Sequence, residues 1–255
     1  MDREQLLGRP RIRRRLAALS RAPVNFDPAV LATAGPQNGW MLTDLTQGLP
    51  SEPPGMPVAG GSWEVARRLM RGYEFADPSI VRAYYDPQVP LAERTMLLEL
   101  RALGLLRLHV GVRVSDVYER TFEAETGPVH AWGWNYRTLQ GHVEQGQMDW
   151  QVWKWLASGQ VEFRVHAVSR TAAISNPAIR LGYRLLRERE RRAFLESTKT
   201  RMRRFVELAL AEDEWSDRIR IESRRLTARR HTGPDHAGDA LAETLSGSDK
   251  PASGW

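Results

Sequence analysis

Residues 131–155, AWGWNYRTLQGHVEQGQMDWQVWKW, carry the pattern that decides the fold. Five of the nine tryptophans of the chain lie in this stretch, on both sides of a central TLQGHVEQG. The flanking residues alternate with the period of two that is typical of β-strands, and Gly141 and Gly146 are typical of turns. The stretch therefore predicts two strands and a tight connection, with aromatic side chains on both faces of the second strand.

The segments beside this stretch continue the strand pattern. Residues 105–117, LLRLHVGVRVSDV, alternate apolar and polar side chains, which predicts a long strand with one buried face. Gly104 and Gly111 are the predicted places for a bulge or bend in it. Residues 147–170 predict a hairpin that turns at residues 157–159. Strands are therefore expected to dominate residues 94–170.

Helical patterns lie on either side of the strands. Ser62 is predicted to cap one helix, and Asp77 with Pro78 is predicted to open a short second helix, PSIVRAYY. Asn176 and Pro177 predict the start of a last helix that reaches residue 210 and, at about 1.5 Å per residue, spans roughly 45 to 50 Å. The order indicates an α+β fold in which a curved antiparallel sheet grips the C-terminal helix and leaves a cavity between them.

Composition divides the rest of the chain. Residues 1–61 combine a basic arm with a segment rich in proline and glycine that has no sustained period, and they are interpreted as an irregular extension. Residues 211–255 are charged and then polar and rich in turn residues, which predicts a disordered tail. The folded domain is accordingly placed at residues 62–210.

The bulk composition excludes several classes of site. The 255 residues include no cysteine, so no disulfide, thiolate zinc site or cysteine nucleophile is available. No apolar run approaches the roughly 18 residues of a membrane span, and the N-terminal apolar stretch is too short for a signal peptide, so a cytoplasmic protein is expected. The net charge of +6 reflects arginines crowded into residues 9–21 and 180–230, most of them interpreted as a solvated helix face.

The spaced residues of the strand region resemble a known family, named domain of unknown function nineteen-ninety (DUF1990). The resemblance rests on Trp134, Tyr136, Thr138, Leu139, Gly141, His142, Glu144, Gly146, Ser169 and Arg170. With YEFADPSIVRAYYD and LGLLRLHVGVRVSDV upstream, it covers about residues 62–210. It implies the START-like (SRPBCC), birch-pollen-allergen-like helix-grip superfamily, whose members bind lipids, sterols and polyketides and in some cases act as cyclases, aromatases or hydroxylases. For the family itself it implies no activity.

The candidate catalytic residues are His142, Glu144 and Tyr136. If His142 and Glu144 lie at a strand end over the mouth of the cavity, the imidazole is an acid or base near neutral pH and the carboxylate orients it. The alternative is a loop between two glycines whose His and Glu only face water. No metal is predicted, because His-x-Glu supplies two ligands and only the distant His109 or His166 would complete a set of three.

The candidate ligand-binding residues are Trp134, Trp150, Lys154, Arg164, His166 and Arg113. Trp134 and Trp150 are interpreted as walls of the pocket, whereas Trp153 and Trp155 are interpreted as core or interface packing. Arg164 and His166 would anchor a carboxylate or enolate if their strand face lines the cavity; if that face meets solvent, the strand is only amphipathic. We expect the polar groups at the rim of the cavity to converge on one pocket: Tyr136, His142, Glu144, Lys154 and Arg164.

These patterns favour a protein that binds a hydrophobic or amphipathic small molecule between sheet and helix. If it is an enzyme, cofactor-free cyclisation, dehydration or isomerisation is expected, since the chain has no Walker loop, G-x-G-x-x-G run or Ser-His-Asp order. Two alternatives stay open: a module that binds an anionic surface, nucleic acid or membrane, through its arginines, and an interaction module whose tryptophans form a homodimer. Specific binding of nucleic acid is not expected.

Overall fold

Seven strands form one antiparallel sheet in the computed structural model, which describes residues 10–102, 106–174 and 177–211. The strands are β1 (Met41–Leu49), β2 (Val81–Tyr84), β3 (Thr95–Ala102), β4 (Leu106–Ala124), β5 (Gly127–Thr138), β6 (Glu144–Trp155) and β7 (Val161–Thr171). Their order across the sheet is β1-β7-β6-β5-β4-β3-β2. Every neighbouring pair is antiparallel. Strands β2 to β7 therefore form a meander, and the N-terminal strand β1 pairs with β7 at one edge of the sheet.

In the described part of the chain, three α-helices accompany the sheet: α1 (Pro10–Leu19), α2 (Ser62–Gly72) and α3 (Pro177–Ala211). The 35 residues of α3 make it about 52 Å long at ~1.5 Å per residue, enough to cross the sheet. The curved sheet and α3 form the predicted α+β helix-grip arrangement, with α2 packed against α3, β6 and β7. Among the described residues, each helix is too short or too polar to cross a membrane.

The core lies on the concave face of the sheet, between the sheet and the helices. Val110, Val112 and Val114 of β4 face this core, as their alternation predicts. A bulge between Val114 and Asp116 then shifts the register, so that Val117 continues the same face. The predicted bulge at Gly111 is wrong: this glycine lets α1 approach, since a Cβ there would lie 2.4 Å from Leu19 Cδ2. Gly104 lies outside the described residues.

The predicted helix PSIVRAYY is also wrong. Residues 78–80 form a turn, and Val81–Tyr84 forms the edge strand β2, which pairs with β3. Asp77 caps this turn, because its Oδ1 accepts a hydrogen bond from the Ser79 N–H at 2.8 Å. The β-branched and aromatic residues that follow favour a strand once β3 offers a partner, which outweighs the helix-start signal of Asp77 and Pro78.

The segment 22–61, predicted to be irregular, contributes to the sheet. Strand β1 pairs with β7 along its whole length, from Met41 opposite Ser169 to Leu49 opposite Val161. A second, smaller core forms where Phe26 and Trp40 pack against Val168 on the other side of β7. The strand signal was weak, because MLTDLTQGL mixes polar residues and a glycine into both faces. The predicted disordered tail lies outside the described residues.

Candidate functional site

A cavity of about 370 Å³ opens beside the connection between β5 and β6. Its lining residues are Asn25, Leu108, Gln140, Gly141, His142, Val143, Gln145, Ala172, Ala173 and Ile174. The volume falls within the range of about 300 to 1,000 Å³ that is typical of small-molecule sites. Half of the lining residues are aliphatic and four are polar, so the cavity suits an apolar body with a few polar contacts.

The turn after β5 is held from several sides, and this places His142 in the cavity wall. Leu139 donates its N–H to the Gly111 carbonyl at 3.0 Å, and Gln140 donates to the Pro23 carbonyl at 2.9 Å. Gly141 has a left-handed φ of 88°, which glycine adopts without strain, and the His142 N–H closes the turn on the Leu139 carbonyl. The prediction that the chain reverses sharply at Gly141 is therefore confirmed.

The imidazole of His142 is neutral at physiological pH. Its Nδ1 accepts the Glu144 backbone N–H at 2.9 Å, so the ring proton resides on Nε2. Burial lowers the pKa of His142 to about 4, although the nearby Glu144 opposes the shift. The ring thus offers a hydrogen-bond donor to the cavity, and the expected acid or base role near neutral pH does not agree with this environment.

The Glu144 carboxylate faces α3, and the hydrogen bond to the His142 ring comes from the Glu144 backbone N–H. Its Oε1 accepts the Tyr183 hydroxyl at 2.5 Å and lies 3.3 Å from Arg187 Nε. Arg191 lies 3.9 Å away and also donates to Ser169 Oγ at 3.1 Å. The interpretation of this arginine run as a solvated face is wrong for these two arginines, since both join α3 to the sheet.

Tyr136, Trp134 and Trp150 lie together on the concave face, as their spacing predicts. They belong to what we name the interior aromatic cluster: Tyr73, Phe75, Trp134, Tyr136, Trp150, Phe163 and Phe194. Its ring centroids lie 4.6 to 6.5 Å apart, and Phe194 closes the cluster from α3. Trp134 and Trp150 therefore pack in the core between sheet and helix, and their role as walls of a ligand pocket stays a prediction.

The polar atoms of this cluster are poorly paired. The Tyr136 hydroxyl donates to Met148 Sδ at 3.2 Å. Tyr73 Oη, Trp134 Nε1 and Trp150 Nε1 are buried and make no hydrogen bond of regular geometry within the described chain. The two phenol groups interact electrostatically, and burial raises the pKa of both Tyr73 and Tyr136, so both stay protonated.

Lys154 shares the concave face but lies far from His142. Ten residues of β6 separate it from Glu144, or about 33 Å at ~3.3 Å per residue. Its ammonium is fully buried and donates to Glu52 Oε2 at 2.7 Å and to the Met56 carbonyl at 2.9 Å. Lys154 therefore joins the loop before α2 to the sheet, and its expected place at the rim of the pocket is wrong.

Arg164 and His166 lie on the convex face of the sheet, away from the core. The Arg164 guanidinium stacks over Trp153 at 3.8 Å and forms an ion pair with Glu162 at 2.7 Å. His166 Nδ1 lies 2.7 Å from Asp44 Oδ1 at the strand edge. The amphipathic alternative describes β7 correctly, because Phe163 and Val165 of the opposite face fill the core. The expected convergence of all five polar groups is therefore wrong.

Arg113 holds the N-terminal arm instead of a ligand. Its Nη2 donates to the carbonyl oxygens of Leu19, Ser20 and Ala22 at 3.0, 2.9 and 2.9 Å. These carbonyls lie at the C-terminal end of α1, where a cation is favourable. Within the described ranges, no group of three or more His, Asp and Glu side chains could hold a metal ion.

Sequence reasoning missed the residues outside the sheet that contact the candidate site residues. Tyr73 and Phe75 follow α2, and Tyr183 and Arg187 lie on α3. The stretch YEFADP, which contributes to the family resemblance, was a signal for the first pair. No local signal existed for the second pair, because their contact with Glu144 depends on how α3 crosses the sheet.

We expect the His142 ring to titrate near pH 4. Its pKa in the folded chain lies below the ordinary value of 6.5, so the unfolded chain binds the proton more readily. The free energy of unfolding should therefore fall as the pH drops from about 6.5 towards 4, and should gain nothing from this group above 6.5.

The check is an NMR titration of the histidine Cε1–H signals, with the His142 signal identified by its loss in His142→Gln. The same variant should reduce the slope of stability against pH, while His109, whose pKa burial also lowers, keeps its own contribution. A midpoint near 6.5 would show instead a ring that simply faces water.

Comparison with known proteins adds a family. No match was found among curated proteins. The crystal structure of Ara h 8.0201 matches with a TM-score of 0.37 and 9% sequence identity, over 64% of this chain and 98% of that chain. The family model described as Domain of unknown function (DUF1990) matches residues 28–197. Because this match extends over more than half of the sequence, the chain belongs to the family named domain of unknown function nineteen-ninety (DUF1990).

Proposed function

We propose that this protein binds a hydrophobic or amphipathic small molecule in the cavity beside the β5–β6 connection. The observation that carries the proposal is the apolar wall of this 370 Å³ cavity, formed largely by Leu108, Val143 and Ile174. The same side chains pack on or belong to the main hydrophobic core between sheet and α3. Burial of an apolar ligand there gains about 25 cal/mol for each Å² removed from water.

His142 supports the amphipathic character of this ligand. With Nδ1 occupied by the Glu144 N–H, the ring presents Nε2–H as a donor, which suits a ligand oxygen. The pKa of about 4 keeps this donor uncharged at neutral pH, so the contact does not require an anionic ligand. His142 therefore favours an uncharged or weakly polar end group at the cavity wall.

Binding has more support than conversion. A neutral imidazole N–H polarises a carbonyl oxygen when it is well placed, but it removes no proton through a nitrogen that already accepts a hydrogen bond. The nearest carboxylate, Glu144, is engaged by Tyr183 and Arg187. A cofactor-free cyclisation, dehydration or isomerisation would need its base from the ligand or from solvent.

The anionic-surface alternative has less support from the contacts of α3. Arg187 and Arg191 bind Glu144 and the sheet, and Arg201 is buried with its Nε donating to the Phe75 carbonyl at 3.1 Å. Burial lowers the pKa of Arg201 to about 10, although the nearby Asp77 opposes this shift. These three arginines make contacts within the fold, so they stabilise it and are not placed to bind an external anion.

We expect the uncharged fluorescent probe N-phenyl-1-naphthylamine to bind this cavity, with higher emission on binding. Ala173 is an exposed residue of the cavity lining, and Ala173→Phe should fill the space and weaken probe binding at least ~10-fold without unfolding the chain. Affinity should change little between low and high salt, because the probe carries no charge. Fluorescence titration measures both effects.

The matched control is Ala157→Phe. Ala157 is also exposed and lines a second cavity of about 280 Å³, near Trp155 and Glu162. This variant should bind the probe as the parent chain does. Equal binding by both variants would remove the first cavity as the site, and steep weakening with salt would favour the anionic-surface alternative. Native mass spectrometry then identifies a co-purifying molecule by a mass shift that Ala173→Phe loses.

A further inference from the structure

The second cavity lies at the end of the sheet opposite to the β5–β6 connection. Its volume is about 280 Å³, and it lies between the β4–β5 turn and the β6–β7 turn. Four of its eight lining residues carry a polar side chain, and one contributes a large aromatic ring. The lining residues are Thr126, Gly127, Pro128, Trp155, Ala157, Ser158, Gln160 and Glu162.

Backbone hydrogen bonds fix the two turns around this cavity. The Leu156 N–H donates to the Pro128 carbonyl at 2.9 Å, which joins the β6–β7 turn to the start of β5. The Gly159 N–H donates to the Trp155 carbonyl at 2.8 Å, and the Glu52 N–H donates to the Gly159 carbonyl at 2.9 Å. The loop before α2 therefore also holds the turn, and the cavity is largely preformed, as ligand sites usually are.

The indole of Trp155 is the aromatic surface of this cavity. The residue is partly exposed whereas its Nε1 atom is buried, so the ring offers carbon atoms and not its N–H. Trp153 packs beside it with the ring centroids 6.1 Å apart, and the Arg164 guanidinium stacks over Trp153 at 3.8 Å. The face of an aromatic ring is negative and attracts the weakly positive C–H groups of a saturated ring.

The polar side chains of the cavity offer both donors and acceptors. Glu162 Oε1 accepts the Gln160 side-chain N–H at 3.0 Å, and Ser158 Oγ accepts the Gln160 backbone N–H at 3.2 Å. Ser158 can still donate its hydroxyl proton, the amide oxygen of Gln160 can accept, and the Thr126 hydroxyl can do both. A ligand hydroxyl also donates and accepts, so hydroxyl groups match this mixture well.

An ion pair at the cavity wall selects an uncharged ligand. Glu162 is 8% exposed, and its Oε2 accepts Arg164 Nε at 2.8 Å and lies 2.7 Å from Arg164 Nη2. The carboxylate thus has its counter-charge on the same strand. A ligand anion would meet this carboxylate and a ligand cation would compete with Arg164, whereas a ligand hydroxyl only adds a hydrogen bond.

We propose that the cavity between the β4–β5 and β6–β7 turns is a second binding site, which takes one ring of a neutral sugar. The volume of about 280 Å³ lies just below the ~300 Å³ at which sites for drug-sized ligands begin, so a single saturated ring is the fitting size. Trp155 packs against the C–H face of this ring, and Ser158, Gln160 and Glu162 bind hydroxyl groups at its edge. This site is separate from the cavity beside His142, and the inference does not depend on the proposed function.

The test is an NMR titration of the ¹⁵N-labelled full chain with methyl β-D-glucopyranoside, methyl β-D-galactopyranoside and methyl α-D-mannopyranoside. The indole N–H signal of Trp155, identified by its loss in Trp155→Phe, reports binding. At least one of these glycosides should shift the signal saturably. That glycoside should bind at least ~10-fold more tightly than tetrahydropyran-2-methanol, a similar ring without the ring hydroxyls, because the hydroxyls add hydrogen bonds. D-Glucuronate should bind more weakly than the glycoside, because its carboxylate meets Glu162.

Ala157→Phe locates the binding in this cavity. Ala157 is exposed, so the phenyl ring should fill the cavity without unfolding the chain and weaken glycoside binding at least ~10-fold through a steric clash. Ala173→Phe is the matched control, since Ala173 is an exposed alanine of the cavity beside His142. It should leave the affinity for the glycoside unchanged.

Gln160→Ala examines the hydrogen bonds at the edge of the sugar ring. Gln160 is exposed, so the Tm should change little, while the affinity for the glycoside should fall at least ~3-fold. Gln88→Ala is the control for an exposed glutamine far from both cavities in the chain, and it should alter neither quantity. An unchanged affinity in Gln160→Ala would overturn the role given to this side chain.

The remaining outcomes each decide one part of the inference. No saturable shift with any of the glycosides would overturn the site, and a shift that survives Ala157→Phe would place the binding elsewhere. Equal affinities for the glycoside and tetrahydropyran-2-methanol would overturn the recognition of hydroxyl groups. Tighter binding of glucuronate would overturn the choice of a neutral ligand. Each of these results leaves the binding of N-phenyl-1-naphthylamine beside His142 unaffected, so the two proposals fail separately.

Discussion

Replacing Lys154 by methionine is expected to lower the free energy of unfolding by about 3 to 5 kcal/mol. Lys154 is fully buried and its Nζ donates to Glu52 Oε2 at 2.7 Å. Methionine fills a similar volume but leaves the Glu52 carboxylate buried without its cation. An uncompensated buried charge of this kind is strongly destabilising. Urea unfolding followed by circular dichroism measures the effect.

The same ion pair anchors the start of α2. Glu52 also accepts the backbone N–H groups of Val58 at 3.1 Å and Trp63 at 2.7 Å, so its carboxylate holds the preceding loop and satisfies one donor in the first turn of the helix. Loss of Lys154 should therefore weaken α2 as well as the ion pair. Glu52→Gln should also be destabilising, because it leaves the Lys154 ammonium buried without a negative partner.

A second lysine supplies the control. Lys199 forms an exposed pair with Glu196 on α3 at 3.5 Å, and Lys199→Met should change stability by less than about 1 kcal/mol. Equal effects of the two lysine variants would contradict the structural role given to Lys154. Near-normal stability of Lys154→Met would return Lys154 to the set of candidate ligand contacts.

Gly146→Ala should cost about 3 kcal/mol or more, combining backbone strain with a steric clash. Gly146 has a φ of 157°, and a Cβ at this position would lie 2.1 Å from the Val168 carbonyl oxygen. The obstacle is backbone of the neighbouring strand β7 and not a flexible side chain. The β6–β7 pairing beside the cavity must therefore separate, and thermal unfolding measures the loss.

Gly141→Ala is the matched comparison from the same turn. Gly141 also has a positive φ, 88°, but a Cβ there would meet nothing within 4 Å. Its cost should be about 1 kcal/mol, which reflects the left-handed backbone alone. A similar loss for both glycine variants would show that backbone conformation, and not the contact with β7, sets the requirement for glycine at Gly146.

Much of the site's local geometry followed from periodicity. Trp134 and Tyr136 share a face because they lie two residues apart, and the glycine at 141 predicts the reversal that carries His142. Periodicity did not indicate the protonation state of His142, since that depends on burial and on the Glu144 N–H that occupies Nδ1. The structure therefore confirms the position of His142 beside the turn, but it makes the ring a neutral hydrogen-bond donor instead of an acid or base.

The sequence by itself determined strands β4 to β7, the long helix α3 and the residues that share each face of these strands, because these depend on neighbours within a few positions. Only the tertiary structure decided which face is concave and which remote segments meet it. Lys154 pairs with a residue 102 positions away, and Arg113 binds carbonyls up to 94 positions away. Even the edge strand β1, whose own pattern is weak, forms because β7 offers it hydrogen-bond partners along its whole length. Pairings of this kind arise from the packing of the whole chain, and no local pattern encodes the partner.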